Sequence, residues 1–198
     1  MTDPPPGPTG LLAGAISYTL GVCALVGPEE MALPTPCADW NLGTLLAHLS
    51  DSMADLETAI RIGKLDLRRP PDRAAGDPVE ALRDRAAELL CAAYCYSGPE
   101  RFIAVGGLPL PAGLVACTGA VEIAVHGWDV SAARGRAGCG RAGRGGVRPI
   151  PAGLATRMLR LGPLLMVGRE GLFADAVDVP AQASPGDQLV GYLGRCPG

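Results

Sequence analysis

The sequence predicts an all-α protein: a four-helix bundle with long connections and a short C-terminal helix, formed by residues 1–198 as a single domain. Aromatic residues make up 4% of the chain and hydrophobic residues 48%, so the core must consist largely of Leu, Val and Ala. Apolar residues recur with a helical period, and helix start and stop signals divide the chain into helical segments. A chain of 198 residues can bury one well-formed core.

Helix one is predicted from an apolar run near the start of the chain. The run extends from Leu11 to Val26, and we expect the helix over Thr9 to Val26, ended by Gly27 and Pro28. Its length of about sixteen residues falls short of a membrane span, which needs roughly twenty. We therefore expect a buried helix and no membrane partner.

Helix two is the clearest amphipathic segment. Asn41 has the residue type of an N-cap, and Gly63 closes the helix after Ile62. At about 100° per residue, His48 falls on the edge of the apolar stripe, beside Ser52. The stripe follows a helical pattern and consists of Leu42, Leu45, Leu46, Leu49, Met53, Leu56 and Ile60.

Helix three has the sharpest start signal in the chain. In "DPVE", Asp77 is the predicted N-cap, Pro78 occupies the first helical position and Glu80 the third. The helix is expected to reach Ser97, before Gly98. The segment "RFIAVGGLPLP" that follows alternates weakly, which predicts either an extended crossing or a short strand.

The C-terminal half contains one long and two shorter predicted helices. Helix four is expected from Pro111 to Arg134, with Gly135 as its stop. A further helix is expected from Pro151 to Val167, and "GDQLVGYLG" predicts a short closing helix.

Charge and composition restrict the class of protein. A net charge of −3 argues against a nucleic-acid partner, and "MTDPPPGPTG" has no basic n-region of a secretory signal. We therefore expect a cytoplasmic protein, in which most of the seven cysteines are small buried side chains. One lysine among 17 basic residues suggests a GC-rich, actinobacterial genome.

The segment "RGRAGCGRAGRGGVRP", residues 134–149, is basic and rich in glycine. It has no acidic residue and cannot pack a core, so we expect a mobile loop. Two interpretations stay open: a solvated linker, or a clamp for an anionic ligand. In the second case the substrate-binding candidates are Arg134, Arg136, Arg141, Arg144 and Arg148.

Two acidic residues and a histidine lie on one ridge of helix four. Glu122 and His126, four residues apart, are spaced like two ligands of a helical metal site, and Asp129 follows one turn later. His48 is the other histidine of the chain and could supply a third ligand. The alternative is a helical Glu–His salt bridge with no metal. Unpaired imidazoles are costly in apolar surroundings, which favours a metal.

Three segments resemble one family over nearly the whole chain. "LPTPCADWNLGTLLAHLSD", "EIAVHGWDVSAARG" and "SPGDQLVGYLGRCPG" are similar to segments of the DinB-like metal-binding superfamily, in its mycothiol-dependent maleylpyruvate isomerase branch. The resemblance implies a DinB-like four-helix bundle with His48, Glu122 and His126 as metal ligands. Trp128 and Asp129 are candidates for the layer behind the ligands. The isomerases carry a further C-terminal domain, which leaves the substrate open.

The function expected from these observations is that of a metal-dependent enzyme that uses a low-molecular-weight thiol. It would be a transferase or isomerase that holds a divalent ion, first of all zinc, and uses mycothiol or a similar thiol on a small electrophilic metabolite. The alternatives are a metal-dependent small-molecule hydrolase and a non-catalytic protein that sequesters a metabolite. Cys37 is expected to be dispensable for the chemistry. The oligomeric state stays open, with a homodimer among the alternatives.

Overall fold

The computed structural model of the protein describes residues 7–37, 40–65, 76–96, 98, 100–138, 146–162 and 174–197. Within these residues the protein is mostly helical, with six α-helices and one small three-stranded sheet. The chain divides into two compact units, Met1–Val147 and Arg148–Gly198. A single domain over the whole chain stays a prediction. No helix of the described part is both long and apolar enough to cross a membrane.

The first unit contains four long helices and the sheet. In chain order its elements are α1 (Pro8–Cys23), α2 (Leu42–Ile62), β1 (Lys64–Leu65), α3 (Pro78–Tyr96), β2 (Phe102–Val105), β3 (Leu108–Pro111) and α4 (Ala112–Gly138). Helix α1 packs against α4 and α3, and α2 packs against α3 and α4. Each long helix therefore contributes to the core of the first unit.

Helix α2 begins and ends where its capping residues predict. The Asn41 side chain accepts a hydrogen bond of 2.9 Å from the backbone N–H of Thr44, as an N-cap does. Gly63 has a φ of 80°, in the left-handed region, and ends the helix. All seven residues of the predicted apolar stripe are buried. This burial fixes the rotation of α2 and leaves His48 at the margin of the core.

Two glycines on α4 allow the neighbouring helices to approach closely. A Cβ atom on Gly127 would collide with the side chain of Thr19 on α1 and lie 3.2 Å from its Cα. A Cβ atom on Gly119 would collide with Leu56 on α2. The hydroxyl of Thr19 also donates a hydrogen bond of 2.8 Å to the backbone carbonyl of Ile123. These contacts set the rotation of α4 between α1 and α2.

The fold is mostly helical, as predicted, and one small sheet is added to the predicted helices. Strands β2 and β3 form an antiparallel hairpin, and β1 pairs in parallel with β2. The turn residues Gly106 and Gly107 have φ angles of 57° and 88°, which suits a tight two-residue hairpin turn. The segment "RFIAVGGLPLP" thus forms strands. The weak alternation of its residues left this open, and the pairing with β1 is a long-range contact.

Helix α4 is longer than the sequence predicts. It continues through Gly135 to Gly138, so the expected stop at Arg134 is wrong. A Cβ atom at position 135 would lie 3.0 Å from Cγ2 and 3.2 Å from the backbone nitrogen of Val147. The close contact with Val147 therefore explains why a residue without a side chain stands at position 135. The rest of the predicted mobile loop up to residue 145 lies outside the described residues.

The second unit contains helices α5 (Ala152–Leu159) and α6 (Pro185–Tyr192), which pack against each other. The predicted closing helix is confirmed as α6, and its N-cap Ser184 accepts a hydrogen bond from the N–H of Asp187. Helix α5 ends at Leu159, short of the predicted Val167. Residues 163–173 lie outside the described part of the chain.

The cysteines are more exposed than expected. Among the six in the described residues, Cys23 and Cys117 are buried and Cys37 is half-buried. Cys91, Cys95 and Cys196 are exposed, so the expectation of mostly buried thiols is wrong for this set. Cys91 and Cys95 are four residues apart on α3, and that face of the helix points to solvent.

Candidate metal centre

Three polar side chains from α2 and α4 meet at one place in the first unit. His48 comes from α2, and Glu122 and His126 come from consecutive turns of α4. One nitrogen or oxygen atom of each residue lies within 4.8 Å of those of the other two. Nε2 of His48 is 3.3 Å from Oε1 of Glu122, and the two imidazole centroids are 5.0 Å apart. The structure therefore brings together the three residues that the sequence selected.

The cluster fits a divalent metal ion by its chemistry and its spacing. Two imidazoles and a carboxylate are the donor set of many catalytic zinc sites. Zinc–ligand bonds of about 2.0–2.1 Å at tetrahedral angles place ligand atoms about 3.3 Å apart, which is the His48–Glu122 spacing. The side chains of His48 and Glu122 are 34% and 35% exposed. A fourth position could therefore be reached from solvent.

Ser52 and His48 stabilise the charged form of Glu122. The Ser52 hydroxyl donates a hydrogen bond of 2.7 Å to Oε1 of Glu122. Burial acts to raise the pKa of the Glu122 carboxyl, but hydrogen bonds from His48 and Ser52 and the charge of the imidazoles outweigh it, and the pKa lies below its ordinary value. Glu122 is therefore an anionic donor at neutral pH. The sequence placed Ser52 beside His48 and assigned it no role.

Asp129 lies at the Nδ1 edge of the His126 ring. Its side chain is completely buried, and its Oδ2 lies 3.0 Å from Nδ1 of His126. The Cys37 thiol donates to the same oxygen at 3.2 Å. An aspartate oxygen 3.0 Å from Nδ1 favours the Nδ1–H tautomer of His126, which leaves Nε2 as the metal-binding nitrogen. The structure thus places Asp129 behind His126, where the sequence had it as a candidate.

The two tryptophans lie in different surroundings. The Trp40 ring lies 4.7 Å from the His48 ring and 6.1 Å from the His126 ring, centroid to centroid, and is tilted against both imidazoles. Trp128 is buried in the core. Two residues beyond His126, it lies on another side of α4 because consecutive helical residues are about 100° apart. Trp128, the candidate that the family resemblance implies, is therefore not beside the imidazoles; Trp40, which is part of the first quoted motif, is.

Two of the five candidate arginines, Arg134 and Arg148, have side chains in the described part of the chain. Nε of Arg134 donates to both carboxylate oxygens of Glu30, at 3.1 and 3.0 Å, so its charge is matched within the protein. Arg148 is exposed and belongs to the second unit. Arg141, Arg144 and the side chain of Arg136 lie outside the described residues. Their role as an anion clamp stays a prediction.

The long helices and the cluster of His48, Glu122 and His126 define the class of the protein: it is mostly helical and has a candidate metal centre between two helices. The chain belongs to the family of the mycothiol maleylpyruvate isomerase N-terminal domain, whose model matches residues 12–131. This match confirms the resemblance found in the motifs. The segment covers more than half of the 198 residues and includes every residue of the cluster and the side chains around it.

Two curated relatives extend the similarity beyond that segment. Both are uncharacterized proteins of Mycobacterium tuberculosis, from different strains. Each is 27% identical over 180 residues, which cover 87% of this chain and 88% of the relative. No solved structure matches the chain.

Proposed function

We propose that the protein is a metal-dependent enzyme that uses mycothiol or a similar low-molecular-weight thiol to transform a small electrophilic metabolite by transfer or isomerisation. The observation that carries the proposal is the partly exposed cluster of His48, Glu122 and His126, which lies inside the segment matched by the family model. The proposal extends to a DinB-like bundle of α1 to α4 and to action in the cytoplasm, with a small molecule as the partner.

His48, Glu122 and His126 would hold the ion, for which zinc is the first candidate. When bound, a divalent ion supplies the Lewis acidity that keeps a thiol ionised at neutral pH, and the thiolate is the nucleophile. Glu122 provides the single negative charge among the three donors. The cluster thus leaves a positive charge on a divalent ion, and this charge favours an anionic sulfur or carboxylate.

The residues around the cluster would keep it in shape for binding. Ser52 fixes one oxygen of Glu122, and Asp129 fixes the Nδ1 proton of His126. Trp40 lies beside both imidazoles and would contribute an apolar side to the centre. Access is left at the exposed edges of His48 and Glu122, where a cosubstrate would enter.

Turnover of a model electrophile by zinc-loaded protein, with and without added thiol, tests the proposal. We expect activity only with thiol, and its loss in Glu122→Gln. Glu57→Gln is the matched control, because Glu57 is likewise a helical glutamate but lies on α2 and pairs with Arg61, outside the cluster. Turnover without thiol would instead indicate a hydrolase, since the exposed position also admits water. Ligand binding without any turnover would indicate a sequestering protein.

A further inference from the structure

A thiol lies beside the candidate metal centre, at the Nδ1 edge of the His126 ring. Sγ of Cys37 donates a hydrogen bond of 3.2 Å to Oδ2 of Asp129, the oxygen that also accepts from His126. We propose that Cys37 is a positioning residue, whose S–H group holds Asp129 in the orientation that fixes the His126 ring. The inference deepens the metal-binding part of the proposed function and assigns Cys37 no role as a nucleophile.

The backbone around Cys37 is held by a local network. The N–H of Cys37 donates to Oγ1 of Thr35 at 3.2 Å, and the hydroxyl of Thr35 lies 3.1 Å from the Cys37 carbonyl and 2.9 Å from that of Trp40. The backbone N–H of Thr35 donates to the Trp40 carbonyl at 3.2 Å. A residue fixed in this way presents its side chain in a defined direction, so the contact with Asp129 is a feature of the loop.

The Cys37 thiol is a hydrogen-bond donor to the buried carboxylate of Asp129, and it comes from a distant part of the chain. Asp129 is completely buried, and a buried carboxylate is costly unless hydrogen bonds satisfy it. His126 is three residues away on the same helix, whereas Cys37 is 92 residues away in sequence. Cys37 therefore ties the α4 carboxylate to the loop that precedes α2, the helix that carries His48.

The expected consequence is a constraint on His126. A carboxylate that accepts from the Nδ1–H of a histidine fixes the tautomer and the ring orientation, and loss of such a partner commonly lowers metal affinity by about 10–100-fold. Removal of the Cys37 donor leaves Asp129 less restrained, so the Nδ1–H tautomer of His126 becomes less dominant. A serine at position 37 also donates a hydrogen bond and should replace the thiol in this role.

A competing arrangement has Cys37 as a metal ligand. Its Sγ is 3.8 Å from Nδ1 of His126, and the donor atoms of Cys37, His126 and Asp129 lie within 4.8 Å of one another. An ion bound there would displace the Nδ1 proton and break the hydrogen bond to Asp129. Thiolate ligation of cobalt(II) produces an intense charge-transfer absorption, so substitution with cobalt distinguishes the two arrangements.

The first experiment reads the His126 tautomer in metal-free protein. The chain has two histidines, so the imidazole nitrogen resonances are readily assigned in a long-range proton–nitrogen NMR spectrum at a pH of about 8, above the ordinary histidine pKa. We expect a protonated Nδ1 on His126 in the native protein. Cys37→Ala should shift His126 towards mixed tautomers and leave His48 unchanged, and Cys37→Ser should restore the native spectrum.

The second experiment measures zinc affinity by competition with a chelator. Cys37→Ala should lose about tenfold in affinity, and Cys37→Ser should recover most of it. In an Asp129→Asn background, Cys37→Ala should cause no further loss, because the two residues act in series. Cys23→Ala is the control: it removes a buried thiol from α1 and should leave zinc affinity unchanged.

Several results would overturn the inference. In the NMR experiment, an unchanged His126 spectrum in Cys37→Ala would do so. In the affinity experiment, so would a Cys37→Ser variant that binds zinc as weakly as Cys37→Ala, or losses of zinc affinity that add in the double variant with Asp129→Asn. A thiolate charge-transfer band in the cobalt protein without added thiol would also contradict the inference. A native protein that binds no metal would remove the proposed function, and the NMR comparison would still decide the role of Cys37. Absence of thiol-dependent turnover would likewise leave the role of Cys37 intact.

Discussion

Ser52 and Glu122 form a short hydrogen bond between the two helices that carry the candidate metal centre. The hydroxyl on α2 donates a hydrogen bond of 2.7 Å to Oε1 of the α4 carboxylate, 70 residues away in sequence. Ser52 is one turn after His48, so a single ridge of α2 supplies one candidate ligand and the donor that orients another.

Metal content should depend on His48. We expect about one divalent ion per chain in the native protein, and His48→Ala should lose it because an open three-residue site has no spare protein ligand. Elemental analysis of protein purified without chelator measures this. Glu57→Gln should keep its metal. A native protein that contains no metal and takes none up would contradict the prediction.

Ser52→Ala should raise the pKa of Glu122 and lower stability by about 0.5–1.5 kcal/mol. The folded-state pKa of Glu122 lies below its ordinary value, so its ionised form stabilises the native protein above the unfolded-state pKa of about 4.3. This contribution is lost as the pH falls through the folded-state pKa. Urea unfolding of metal-free protein across an acidic pH series measures it. The native protein should have a larger free energy of unfolding than Glu122→Gln at neutral pH, and this difference should shrink as the pH falls. A difference that stays constant would contradict the prediction.

Gly127→Ala should destabilise the protein by about 1–3 kcal/mol, because the new methyl group meets Thr19 at the α1–α4 contact. Gly153→Ala on α5 is the matched control. A Cβ atom there meets no other atom within 4 Å, so alanine should be neutral or stabilise the helix by up to about 1 kcal/mol. Thermal unfolding of both variants provides the comparison. If Gly127→Ala melted at the same temperature as the native protein, α1 and α4 would be able to move apart without loss of stability.

Cys23 should resist alkylation in the native protein. Burial raises the pKa of its thiol to about 12, although the nearby Arg134 charge acts in the opposite direction. At a pH of about 8 the thiolate is scarce and the sulfur is inaccessible. Peptide mass spectrometry after a short iodoacetamide pulse should find the exposed Cys91, Cys95 and Cys196 modified and Cys23 unmodified. In denaturant all four should react.

Local signals predicted most of the described helices, and spacing predicted the centre of the site. Asn41 and Gly63 act within one turn of α2, so their effect is visible in a short segment of sequence. His48, Glu122 and His126 could be selected because histidine is scarce and helical spacing puts Glu122 and His126 on one ridge. The family resemblance supported the same three residues.

The features that sequence reasoning missed depend on contacts between distant segments. Gly135 lies within α4 and does not end it. Its lack of a side chain allows the close contact with Val147. Cys37, which the sequence predicts to be dispensable for the chemistry, contacts Asp129, and Trp40 lies beside His48. Both residues come from the loop before α2, and no periodicity predicts the fold of such a loop. The sheet needs the parallel pairing of β1 with β2, which brings together residues about forty positions apart.

The position of Trp40 gives the protein an optical signal of its own. The chain has two tryptophans; Trp40 lies against both imidazoles, and Trp128 is enclosed in the core. Emission from Trp40 should respond to any change in the charge or ligation of His48 and His126, while emission from Trp128 forms a steady background. Ligand screening can therefore use the unlabelled protein, and replacement of Trp128 by phenylalanine would leave a single emitter at the site.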